Sequence, residues 1–146
     1  MKIHTEIRLV AMLVAALAMP ARADDTRQRV ELPAPMQAHM LANMRDHLHA
    51  LETITRQLAD AQYEAASETA ENRLGMTAMQ AHGAAHLAPF MPEPMRAIGT
   101  AMHHAASQFA ITARDAAVTN DLGAAFGALS QVMRQCVACH EGFRVH

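Results

Sequence analysis

Cys136-Val137-Ala138-Cys139-His140 contains the only two cysteines of the chain, three positions apart, with a histidine directly after the second. At this C-x-x-C-H spacing two thiols can add across the vinyl groups of a haem while the following histidine ligates the iron. A redox dithiol of the same spacing would usually open a helix inside a βαβ pattern, and a zinc site would need further Cys or His at a fixed distance. Neither context is present, so one covalently attached heme c is the expected cofactor. Six residues follow His140. A second axial ligand is therefore expected from earlier in the chain, or not at all.

The elements that must position this motif are helical. Alanine and methionine are abundant, aromatic residues make up 3% of the chain and tryptophan is absent, a balance that favours helix. A first helix is expected from Pro35 to Asp60, with Met40, Met44, His47, Leu51, Ile54 and Leu58 at the alternating spacings of a bundle seam. A second is expected from Tyr63 to His82, through Tyr63, Ala66, Ala70 and Leu74. A loop with Pro89 and Pro92 follows from Gly83 to Pro92. The third helix is expected from Glu93 to Val118, with Met95, Ile98, Met102, Ala105, Phe109 and Thr112 on its seam. The fourth starts after Asp121 as N-cap, with Leu122, Phe126, Leu129, Met133, Cys136, His140 and Phe143 recurring to the end. On that register Cys136 and His140 share the inward stripe of the last helix. Short connections imply antiparallel neighbours. The expected fold is all-α: an antiparallel up-down four-helix bundle with covalently attached haem near one end.

Met1 to Arg8 is basic, Leu9 to Met19 is apolar but short for a membrane span, and Ala21-Arg22-Ala23 is a small-x-small cleavage site. Residues 1–23 are therefore expected to be a cleaved signal peptide and the protein periplasmic, with an uncleaved anchor as the alternative. Residues 24–34 are expected to be an irregular arm and 35–146 one helical domain. Removing 1–23 takes the formal net charge from −2 to −4 and leaves no lysine. That balance argues against nucleic acid and anionic membranes as partners. No serine–histidine–acid set, paired-carboxylate motif or glycine-rich phosphate loop stands out, so no enzyme activity is expected.

The terminal Cys136-Val137-Ala138-Cys139-His140-Glu141-Gly142-Phe143-Arg144 resembles the end of the cytochrome c′ family, the class II c-type cytochromes. Met36-Gln37-Ala38-His39-Met40 resembles the family's R-Q-x-x-M/L segment, with Met36 where arginine is common. The resemblance implies covalent attachment at Cys136 and Cys139, His140 as proximal ligand and Arg144 near a propionate on the proximal side. It puts Met40 on the distal side of the iron. It also implies redox partner proteins and homodimers formed through the first two helices.

Met40 is the distal candidate, with His47, Met44 and Met36 as alternatives. Histidine–methionine ligation would favour electron transfer at a raised potential, and bis-histidine ligation a lower one. A vacant distal side would favour binding of NO or CO. A different chemistry is open to Met76, Met79, His82, His86, Met91 and Met95, with His103 and His104 flanking the third seam: methionine and histidine together bind copper. Core methionines and solvated histidines are the plainer reading of those residues.

Overall fold

The computed structural model describes residues 24–146. The expected signal peptide, 1–23, lies outside the described residues. The fold is all-α apart from one two-residue ladder. Among the described residues no helix is long and apolar enough to cross a membrane.

Helix α1 spans Ala34–Ala59 and begins on Pro33 and Pro35, whose missing N–H groups cost nothing in a first turn. It buries Met40, His47, Ala50, Ile54 and Leu58, the face that its spacing predicts. The chain turns at Ala61, a non-glycine residue at φ 56°. Helix α2, Tyr63–Arg73, buries Ala66, Ser67 and Ala70. It stops nine residues short of the expected His82 because Gly75 follows Leu74. A Cβ at position 75 would sit 2.8 Å from the Glu71 carbonyl oxygen. The Glu71 carboxylate accepts from Thr77 N–H at 3.2 Å, and the Thr77 hydroxyl donates to the Glu71 carbonyl at 2.7 Å. The chain then tightens into a 3₁₀ turn at Met76–Met79, a single-turn helix α3 at Ala84–Leu87, and a second 3₁₀ turn at Ala88–Phe90. Helix α4, Glu93–Thr119, ends on Asn120 in the left-handed region. Helix α5, Leu122–Gly142, opens on Asp121, whose carboxylate accepts from Ala124 N–H at 2.9 Å.

Helix α2 runs antiparallel to α4. Glu64 meets Arg114 at one end, and Met76 N–H donates to the Ser107 hydroxyl at the other. Helix α1 packs on α2, α2 on α4, and α4 on α5. The main core joins Ile54 and Leu58, Leu74, Phe109 and the alanines of α4, and Leu129 and Val132 of α5. A smaller core at the other end joins Val30, Met40, Leu87 and Met95, with Met36, Cys139 and Phe143 packed against it.

Two expectations need correction. Residues 24–34 are not wholly irregular: strand β1, Gln28–Arg29, pairs in parallel with β2, Phe143–Arg144. Val30 N–H extends the ladder to the Arg144 carbonyl at 2.8 Å. The second correction is rotational. Helix α5 buries Ala125, Leu129 and Val132, while Phe126 is 43% exposed and Met133 49%. Opposite it, α4 presents Ala106, Ala110, Ala113 and Ala116. The small alanines of α4 make room for Leu129 and Val132 of α5, while Phe126 and Met133 lie on its outer flank. His140 follows that rotation and is exposed.

Candidate functional site

A cavity of about 400 Å³ lies where the smaller core meets the chemistry-bearing residues. Met40, Met44 and His47 form its α1 wall. Met79, His82, Leu87 and Met91 of the long α2–α4 connection form a second wall. Met95, Met102 and His103 of α4 form a third, and Cys139 closes the end beside α5. The volume is within the usual span of small-molecule and cofactor sites.

The end of α5 that carries the motif is tied down by the N-terminal arm. Arg27 is held by Asp25 at 2.8 Å and donates to the His140 carbonyl at 3.3 Å. A guanidinium on a last-turn carbonyl satisfies an orphan acceptor and complements the negative helix end. The same guanidinium brings the Asp25 carboxyl down to about 2. Gln37 of α1 donates to the Val145 carbonyl at 2.6 Å. The two thiols are free and half-buried. Burial pushes both up from the ordinary thiol range, and for Cys139 the neighbouring Cys136 adds to the effect. Cys136 packs on the main core and Cys139 on the smaller one.

The sequence-derived candidates therefore divide. Met40, Met44, His47 and Cys139 share the cavity. Met36 packs on the smaller core without lining it, and Cys136 lies one turn from Cys139 on the main-core side. His140 does not point into the fold, contrary to the expected seam: its side chain is on the solvent face of α5. Arg144 is on β2 and not on a continuing helix, with its Nε 3.4 Å from Asp25 and its Nη1 donating to the His146 carbonyl at 2.9 Å. Of the Met/His group, Met79, His82, Met91, Met95 and His103 line the cavity, whereas Met76, His86 and His104 do not.

Sequence reasoning missed how closely three histidines meet. His47 Nε2 lies 3.4 Å from His82 Nδ1. Ring centroids are 4.7 Å apart for His47–His82, 5.3 Å for His82–His103 and 6.3 Å for His47–His103. His47 and His103 are buried. His103 Nδ1 donates to the Leu74 carbonyl at 2.7 Å and the Gly75 carbonyl at 3.2 Å, satisfying the acceptors at the end of α2. The His82 main chain is held by α1: its carbonyl accepts from His39 Nε2 and Asn43 Nδ2, each at 2.9 Å. Burial lowers His47 to about 4, with His82 and His103 disfavouring its charge further. Burial, then His103, lowers His82 too. As they stand, no three His, Cys, Asp or Glu side chains among the described residues are arranged to hold a metal ion. The available signal was the α4 stripe Gly99, His103, Ala106, Ala110 and Ala113, one residue on from the expected seam, of which Met95, Met102 and Phe109 are buried as well.

No protein-family model, curated protein or solved structure matches the chain.

Proposed function

We propose that the protein is an exported, periplasmic monohaem c-type cytochrome of the cytochrome c′ kind, an antiparallel four-helix bundle that carries single electrons. The observation that carries the reading is Cys136-x-x-Cys139-His140 at the end of α5, with Cys139 opening onto the apolar cavity that Met40 faces from α1. The donor set fits the group. Two free thiols stand one turn apart, next to a cavity whose walls are largely methionine, alanine and leucine. When bound, heme c supplies a one-electron iron couple.

The chain's own residues then have distinct tasks. Cys136 and Cys139 attach the macrocycle so that a small domain does not lose it. His140, exposed on α5, would offer its imidazole to the iron. Met40 would be the second protein donor to the iron, in preference to Met44 and Met36, because it is 7% exposed and belongs to both the cavity and the smaller core. A methionine thioether together with a histidine imidazole would raise the potential of such an iron. The Asp25–Arg27 pair, β1 and Gln37 hold the motif's helix end in place. Arg144 contributes through Asp25 and the ladder in this structure, and pairing with a propionate would require it to leave Asp25.

The test is an optical spectrum of the exported protein, ferric and ferrous, beside Met40→Ala. A covalently retained haem with a low-spin ferrous spectrum that turns high-spin in Met40→Ala is the expected result. A wild type that is high-spin in both states removes methionine ligation and leaves the gas-binding reading, with NO or CO on an open distal side. Absence of covalent haem when the chain is co-expressed with a haem-attachment system overturns both.

A further inference from the structure

The cavity has a second set of donors that the haem reading does not use. His47 comes from α1, His82 from the connection after α2, and His103 from α4. We propose that these three imidazoles, with a thioether from the same walls, form a site for a single Cu(I) ion.

The spacing is close to what a metal needs. Two nitrogens at about 2.0–2.1 Å from one tetrahedral ion stand roughly 3.3 Å apart. His47 Nε2 and His82 Nδ1 stand 3.4 Å apart. With ring centres about 1.1 Å behind the ligating nitrogens, imidazoles on one such ion have centroids roughly 5.1 Å apart. The observed separations of 4.7, 5.3 and 6.3 Å bracket that value. His103 is the ring that must close in, by about an ångström towards His47.

Hydrogen bonds hold two of the three residues in place. A carbonyl only accepts, so the Leu74 and Gly75 carbonyls fix the proton of His103 on Nδ1 and leave the lone pair on Nε2. Metal-binding histidines commonly have their other nitrogen held in this way. His39 and Asn43 fix the His82 main chain against α1, and Gly83 reaches the left-handed φ of 64° needed for the chain to turn there.

The donor set selects the ion. No carboxylate lines the cavity, and Asp46, next to His47 in the chain, is held by Arg73. Neutral imidazoles and thioethers in an apolar cavity stabilise one positive charge more readily than two. Thioether sulfur, available from Met44, Met79 and Met102, selects Cu(I) over harder cations. The site uses none of Cys136, Cys139 or His140, so it does not rest on the haem reading, and it takes His47 away from the iron.

The test is anaerobic competition for Cu(I) against bicinchoninate. It uses the full chain without haem, its thiols alkylated with iodoacetamide, so that free cysteine cannot supply the ligands. One Cu(I) retained per chain is expected. His47→Ala and His82→Gln should each weaken retention at least tenfold with the helical circular dichroism intact. If His47→Ala fails to fold, His82→Gln and Met79→Leu decide, because both positions are only half-buried. Absence of Cu(I) retention, retention indifferent to both histidine substitutions, or tighter binding of Zn(II) than of Cu(I) overturns the proposal.

Discussion

Acidification from pH 7 to pH 5 should destabilise the metal-free protein through His47. In the folded chain burial holds this imidazole at about 4, from an ordinary 6.5. Below 6.5 the unfolded chain gains a proton that the folded chain refuses. Stability is therefore complete above that value and falls as pH drops towards 4. Linkage gives roughly 2 kcal/mol lost between pH 7 and pH 5, approaching about 3 kcal/mol at pH 4. His82, whose charge burial also disfavours, adds loss in the same direction, while the lowered Asp46 and Glu71 carboxyls begin to lose their stabilisation as pH falls below their ordinary values of 3.8 and 4.5. The assay is urea unfolding with a chelator present. With a slope of about 2 kcal/mol per molar, the midpoint should fall by roughly 1 M between the two pH values. His47→Leu removes the proton site while keeping an apolar side chain, and most of the decrease should vanish. A wild type with flat stability across the window, or a His47→Leu chain with an unchanged slope, would refute the reasoning.

Phe109 is fully buried in the main core, so Phe109→Ala should cost about 3–5 kcal/mol in chemical denaturation. Asp121→Ala removes the carboxylate that accepts from Ala124 N–H and should cost about 1 kcal/mol in the same assay. Gly83→Ala puts a Cβ 2.9 Å from His39 Nε2 at a left-handed φ, and should cost about 1–2 kcal/mol while disturbing the His39–His82 hydrogen bond, visible in imidazole NMR shifts. Arg73→Ala should move the Asp46 carboxyl back up towards the ordinary carboxylate range in an NMR titration, since the guanidinium is the largest cause of its lowering.

The helices were legible where polar and apolar residues segregate. Helix α1 has charged or polar side chains at Arg45, Glu52 and Arg56 between its buried positions, and its face came out as its spacing predicts. Helix α5 has apolar residues nearly all round, so periodicity alone leaves its rotation open. The tertiary packing settled it: Leu129 and Val132 of α5 join the core with the alanines of α4, and Phe126 and Met133 remain outside. The end of α2 was written in Gly75, a C-terminal stop signal that the weak helical pattern of 74–82 obscured. That stop also decides the histidine cluster. A helix continued to His82 would have led this residue away along its axis, whereas the 3₁₀ turn brings it back against His47. Meetings of this kind depend on where a chain bends, which local spacing does not encode.

The β1–β2 ladder joins the first described strand to the last, so it closes a loop of nearly the whole described chain. Contacts of such long sequence separation carry the largest closure entropy and form late. During synthesis β1 emerges early and has no partner until Phe143 and Arg144 follow. The helices can assemble before that clasp shuts over the Cys136-to-His140 end. A chain that has to be modified at this end by another protein would thus have a folding interval in which its thiols are reachable, and a latch that closes once the work is done.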